Sequence, residues 1–223
     1  IGYDKPLSKP LDLLLERGQK VALVGANGIG KTTLLRSLLG EIPSLSGEVM
    51  KGQNLEIGYF EQETKPTDKT CLQEVWDEFP HFTQQEVRAA LARCGLTTKH
   101  IESKIQVLSG GEKAKVRLCK LLNRETNVLA LDEPTNHLDL KSVEWLESYI
   151  NTFKGTVLAI SHDRYFLDVV AARVIEIVDG HAEFYSGNYS FYMEEKQARF
   201  NLQLKQYEQE QAKLKQLGYT VER

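Results

Sequence analysis

A chain of 223 residues with 41% hydrophobic and 26% charged side chains holds enough apolar matter for one good core and an appendage. Its formal net charge of -3 excludes a globally basic nucleic-acid binder and leaves open only a local basic patch. No apolar run reaches the ~20 residues that span a bilayer, and neither a signal peptide nor membrane insertion is expected. Cys71, Cys94 and Cys119 are odd in number and lack metal-ligand spacing. They read as free thiols in a reducing, cytoplasmic compartment. The chain opens at Ile1-Gly2-Tyr3 without Met, and is expected to be a piece of a longer polypeptide.

Residues 1–62 read as a β-rich start around one helix. Val21-Ala22-Leu23-Val24 is a short apolar strand, and Gly25-Ala26-Asn27-Gly28-Ile29-Gly30-Lys31-Thr32 after it is a full match to the P-loop pattern. A helix is expected over Lys31–Leu39, ended by Gly40. Gly47 to Tyr59 suggests short strands, and Glu63 to Thr70, with Pro66, a linker. Residues 71–124 are expected to be mostly helical. Thr83 with Glu86 and Ser109 with Glu112 form capping-box patterns, and Gly95 closes the first of those helices. Lys113, Arg117, Lys120 and Arg124 fall at helical spacing as one basic stripe, either a solvated face or an RNA phosphate contact.

Val128 to Leu131 reads as a buried strand that runs into Asp132 and Glu133. Val143, Leu146, Ile150 and Phe153 mark a helix stopped by Gly155, and Thr156 to Ile160 a further strand. Val174 to Val178 and His181 to Tyr185 flank Asp179-Gly180, a hairpin signal. Alternating strands and helices imply an α/β fold with a mostly parallel sheet. From Ser186 the chain turns polar and helix-favouring. Met193, Phe200, Tyr207 and Leu214 recur every seven residues, without a matching second apolar column.

The chemistry follows from these residue types. P-loop glycines bring backbone N–H groups close to phosphate oxygens, at a helix N-terminus that favours negative charge. Lys31 would reach the terminal phosphates, and the Thr32 hydroxyl would ligate Mg2+, with Thr33 following in the same turn. Asp132 would hold the Mg2+ shell and Glu133 would polarise an attacking water as general base. In Leu108-Ser109-Gly110-Gly111-Glu112, helix-start N–H groups and the Ser109 hydroxyl make an anion site. Tyr3, upstream of the loop, is a candidate for stacking on adenine.

The P-loop, the Ser109-Gly110-Gly111 motif and Leu131-Asp132-Glu133-Pro134, in this order, resemble the nucleotide-binding cassette of the ABC ATPase superfamily. Thr135-Asn136-His137-Leu138-Asp139 is similar to the soluble ABC-F branch. The resemblance covers roughly Ile1 to Tyr185. It implies a mostly parallel core sheet, an antiparallel β subdomain, a helical signature subdomain over about 71–124, and a helical tail or linker over 186–223.

The resemblance also implies an ATP hydrolase, slow as an isolated cassette, with ATP and Mg2+ as its ligands. Gln62 would be the glutamine-loop residue touching metal or water, His162 the switch histidine that contacts the γ-phosphate and orients Glu133, and Asp139 the acid of the loop between cassettes. Ser109, Gly110 and Gly111 would close on ATP held by a second cassette, in the same chain or in a homodimer. A ribosome or rRNA partner follows, in a translation or antibiotic-resistance factor. Ile1-Gly2-Tyr3-Asp4-Lys5-Pro6-Leu7 and Ile57-Gly58-Tyr59-Phe60 look more like a second cassette than a first. An ATPase subunit of a membrane transporter is the alternative, against which Asn136-His137 and the polar tail count. A non-hydrolysing interaction module is a third class, against which Glu133 and His162 count.

Overall fold

The computed structural model describes residues 9–60 and 67–216. In chain order the elements are β1 (Lys20–Gly25), α1 (Lys31–Leu39), β2 (Ile57–Phe60), α2 (Cys71–Trp76), α3 (Gln84–Arg93), α4 (Thr98–Glu102), α5 (Gly110–Asn123), β3 (Val128–Asp132), α6 (Leu140–Thr152), β4 (Thr156–Ile160), α7 (Arg164–Val170), β5 (Arg173–Val178), β6 (His181–Tyr185) and α8 (Tyr189–Gln216).

Local chemistry sets many of the boundaries. Gly40 ends α1 in a left-handed conformation, its N–H donating to the Arg36 and Ser37 carbonyls. Capping boxes open the helical block: Thr70 with Gln73, Thr83 with Glu86, Thr97 with His100 and Ser109 with Glu112. Asp179 (φ 48°) and Gly180 (φ 77°) form the β5–β6 turn, both in the conformation a two-residue hairpin requires.

The sheet order is β2-β3-β4-β1-β5-β6. β2, β3, β4, β1 and β5 run parallel, and β6 returns antiparallel to β5. That hairpin supplies the antiparallel pairing among the described residues. Of the strands expected between Gly47 and Tyr59, the described chain forms Ile57–Phe60. Residues 47–56, rich in glycine and polar groups, remain irregular.

Both faces of the sheet are covered, so its strands are apolar almost throughout. On one face Ala22, Val24, Leu129, Leu131, Val157 and Ala159 pack with side chains of α5, α6 and α7. On the other, Val21, Leu23, Ala130, Leu158 and Ile175 pack with Leu34 and Leu35 of α1. A separate apolar cluster holds α2, α3 and α4 together around Val75, Val87, Leu91 and Ile101. α5 belongs to both units. Ala114, Leu118 and Leu121 face the sheet, while Val116 and Cys119 face the helical cluster. Cys71, Cys94 and Cys119 are buried free thiols.

The basic stripe on α5 behaves differently from either expectation. Lys120 pairs with Glu74 and Glu78 of the α2 region, at 2.8 Å each, and Arg124 pairs with Glu78. The Arg117 guanidinium lies 5.3 Å from the centre of the Phe60 ring. Two of the four charges, Lys120 and Arg124, are thus engaged by carboxylates of the α2 region and bracket α5 to it.

The described part of the tail forms one helix, α8, anchored at its start. Tyr192 is buried against Tyr185, ring centres 4.9 Å apart, and Lys196 pairs with the buried Glu176 of β5. Arg199 stacks on Tyr185 at 4.5 Å. Beyond it Phe200, Leu204 and Tyr207 are exposed.

The bracket yields a stability prediction. Lys120→Met leaves Glu74 and Glu78 facing each other, each about a fifth exposed, without their shared cation. Urea unfolding should show a loss of about 1.5–3 kcal/mol, the usual worth of a charged hydrogen bond. An unchanged midpoint would mean that solvent screens both carboxylates.

Candidate nucleotide-binding site

β1 runs directly into the P-loop, and its last residue explains the first glycine. Gly25 has φ 148°, and a Cβ there would lie 2.6 Å from the Ile177 carbonyl oxygen of the neighbouring strand. Gly28 (φ 76°) faces open space, so nothing but backbone borders the approach to the loop at that point. Ile29 packs beneath, against the α1 side of the core. The Lys31 ammonium donates to the carbonyls of Gly25 and Ala26, both at 2.9 Å. Burial lowers its pKa, opposed by the nearby charges of Glu133 and Asp132.

The carboxylates arrive from β3. Register with β4 places Asp132 opposite Ile160. The ladder continues one residue further, with the Glu133 N–H donating to the Ile160 carbonyl at 2.9 Å. Glu133 then turns into the left-handed region, φ 49°, a conformation that costs a non-glycine residue about 1–2 kcal/mol. That turn points its carboxylate back at the end of β4. Oε2 accepts the His162 N–H at 3.1 Å, and Oε1 lies 3.3 Å from His162 Nε2. Glu133 is buried, and desolvation raises its pKa above the usual glutamate range against the pull of His162. Asp132, also buried, accepts a hydrogen bond from the Thr32 hydroxyl at 3.3 Å.

These groups share one cleft of about 400 Å³. Its lining comprises Asn27, Gly28, Gly30, Lys31, Thr32, Thr33, Asp132, Glu133, Asn136, Ile160 and His162. A smaller cavity of about 210 Å³ borders it, sharing Lys31 and His162 and reaching Gly25, Glu176 and Tyr192. The donor set fits a magnesium-bound nucleoside triphosphate. Glycine backbone and an ammonium suit phosphate oxygens. Thr32 and Asp132 set two hard oxygen ligands side by side, as many as Mg2+ ordinarily takes from a protein when phosphates supply others.

The sequence-expected residues thus gather, with some exceptions. Gly25, Ala26 and Ile29 shape the loop from behind and do not line the main cleft. Ser109, Gly110 and Gly111 line neither cavity. They sit at the head of α5, where Ser109 and Glu112 cap each other: Ser109 N–H donates to Glu112 Oε2 at 2.8 Å, and Glu112 N–H to Ser109 Oγ at 3.3 Å. Tyr3 and Gln62 lie outside the described residues. Asn136 also lines the cleft, where the sequence marks it only as a feature of the branch and not as a site residue. The left-handed backbone of Glu133 and His137 had no sequence signal, because neither is a glycine.

The chain is similar to known proteins along most of its length. A family model described as "ABC transporter" matches residues 8–136, and a second with the same description matches 175–223. The uncharacterised ABC transporter ATP-binding protein YfmM of Bacillus subtilis is 64% identical over 171 residues, 76% of this chain and 33% of that protein. ABC transporter F family member 5 of Arabidopsis thaliana is 44% identical over 195 residues, 86% of this chain and 28% of that one. The energy-dependent translational throttle protein EttA of Haemophilus influenzae is 34% identical, over 92% of this chain and 43% of that one. The chain therefore spans well under half the length of these relatives. Among solved structures, the dimeric ATP-binding cassette MJ0796 bound to ADP and Pi has the same fold, with a TM-score of 0.67 at 20% identity over 81% of this chain and 90% of that one. A P-loop, a paired Asp132-Glu133 and a histidine brought to one cleft, in a chain with these relatives, identify it as a member of the ABC family of ATP-binding cassettes, in the ABC-F branch.

Proposed function

We propose that this chain is a cassette that binds Mg2+-ATP and hydrolyses it, at a site completed by a second cassette, within a factor that acts on the ribosome. The observation that carries the hydrolytic part is the Glu133 carboxylate, desolvated and held by His162 at the edge of the cleft that Lys31, Thr32 and Asp132 line.

Each residue has a task in that reading. Lys31 exchanges its loop carbonyls for phosphate oxygens, which its ammonium binds more strongly because they are charged. Thr32 and Asp132 would hold Mg2+, which when bound neutralises phosphate charge. Glu133 accepts a proton from the attacking water. A raised pKa makes it a better base than an ordinary carboxylate. His162 fixes the Glu133 carboxylate and borders the same cleft. Gln62 is assigned to metal or water, and Tyr3 to the adenine.

The composite site is supported by the signature. Ser109-Gly110-Gly111 keeps helix-start amides at a surface apart from the chain's own cleft, as a group meant for a partner's nucleotide would be. The fold neighbour MJ0796 was captured as a dimer. The ribosomal role rests on ABC-F kinship, including a relative named as a translational throttle. Residues 1–185 are the cassette and 186–223 the tail in this scheme. A cytoplasmic site of action goes with it, in a parent that is a translation factor or an antibiotic-resistance factor.

Lys31→Ala should lose most ATP affinity by calorimetry, since phosphate charge is left uncompensated and the P-loop loses its internal tie. Unaltered affinity would remove the P-loop from the mechanism. A cassette holding half of each site should turn over slowly, with a rate per molecule that climbs with protein concentration. A high rate independent of concentration would rule out the composite site. Glu133→Gln should bind ATP but hydrolyse it ~10²–10⁴-fold more slowly, the scale of general-base loss.

The same substitution should raise the melting temperature of the nucleotide-free protein at pH 7. The sign follows from burial. The folded state holds the Glu133 proton more tightly than the unfolded state, so stability falls as pH rises from the ordinary glutamate range through the raised value. Glutamine removes that decline. Wild-type hydrolysis by Glu133→Gln would end the assignment of Glu133 as base.

A further inference from the structure

The head of α5 and the loop between β3 and α6 are fastened to each other by more than proximity. A Cβ on Gly111 would collide with the His137 carbonyl oxygen, and one on Gly110 would lie 3.5 Å from the His137 ring. His137 itself takes φ 67° to make that approach. One turn further along α5, the Lys115 ammonium pairs with Asp139 Oδ2 at 2.5 Å. Lys115 is only 13% exposed, whereas Asp139 is 57% exposed, so a cation from the interior reaches out to hold a surface carboxylate.

Asp139 divides its two oxygens between two helices. Oδ2 takes Lys115 of α5. Oδ1 caps α6, accepting from the Ser142 N–H at 2.9 Å and the Ser142 hydroxyl at 2.8 Å. Those partners, Lys115 first, hold the Asp139 carboxyl down to about 2, so Asp139 keeps its charge across neutral pH. The loop so fastened also carries Asn136, whose N–H donates to the Glu133 carbonyl at 3.2 Å and which lines the nucleotide cleft. Neither Lys115 nor Asp139 lines that cleft.

We propose that Lys115 is a positioning residue for ATP turnover: its ion pair with Asp139 locks the 136–139 loop in register with the Ser109–Gly111 end of α5. The loop and the signature then face a second cassette as one rigid unit, and a shift of either is passed to Glu133 through Asn136. The turnover half rests on the composite-site reading above. The clamp itself does not.

The test uses the whole chain with Lys115→Met, Lys115→Arg, Asp139→Asn and the Met/Asn double variant. Amide hydrogen exchange reads the clamp without any catalysis, and ATP calorimetry and turnover at several protein concentrations read its consequence. Lys115→Met should speed exchange at residues 136–142 and leave it unchanged elsewhere. It should lower kcat by roughly 10–100-fold, the cost of about an ångström of misplacement, with ATP affinity and KM as in wild type. Lys115→Arg should restore both readouts, and the double variant should cost no more than either single one. Exchange that rises across the whole helical block would show a structural role only and overturn the proposal, as would normal turnover by Lys115→Met beside an active wild type. A wild type without turnover at any concentration would overturn the composite-site reading and with it the turnover half of this proposal, and local exchange in Lys115→Met that matches wild type would overturn the clamp.

Discussion

The pairing of β3 with β4 is the constraint on which the site depends. In a parallel ladder the ends of neighbouring strands emerge on one edge of the sheet, and the register decides which residues meet there. Here Asp132 stands opposite Ile160, and one further bond from Glu133 to Ile160 carries the pairing past the last strand residue. Glu133 and His162 are therefore delivered together, although 29 residues separate them in sequence. A slip of one residue would send the Asp132 side chain to the opposite face and leave Thr32 without its partner. β1, on the far side of β4, brings the P-loop to the same edge.

Strain is concentrated where that delivery happens. Glu133 and His137 both hold left-handed backbone conformations, within five residues of each other and next to the cleft or the signature. Such conformations persist only where the surroundings over-determine them. For Glu133 the surroundings are a ladder hydrogen bond and a histidine N–H. For His137 they are the glycine surface at the head of α5 and the Lys115–Asp139 pair beyond it. The buried carboxylate and the unfavourable turn both cost stability, and the apolar layers on either side of the sheet offset them.

α5 connects this edge to the rest of the molecule. Its apolar residues divide between the sheet and the helical cluster, and Lys120 and Arg124 tie it to α2. α5 therefore joins the sheet and the helical cluster through one packed element. α8 meets the opposite end of the machinery, where Tyr192 and the buried Glu176 border a cavity that also touches Lys31 and His162.

Much of this was legible in the residues themselves. The P-loop glycines, the hairpin at Asp179-Gly180, the capping boxes at Thr83 and Ser109 and the periods of β3, α6 and β4 are local signals. Each acts over a few residues through backbone freedom, a side-chain cap or a burial period. The motif order along the chain was likewise enough to assemble Lys31, Thr32, Asp132, Glu133 and His162 as one site. What local pattern could not settle is which charges find partners far away in sequence. The basic stripe of α5 had the spacing of a phosphate-binding face, yet Glu74 and Glu78, more than 40 residues earlier, engage two of its four charges, Lys120 and Arg124. Lys115 belongs to no sequence motif, and packing sets it against Asp139, 24 residues on. Pairings of that kind depend on how two elements cross. That is a property of the packed core and leaves no trace in the local sequence.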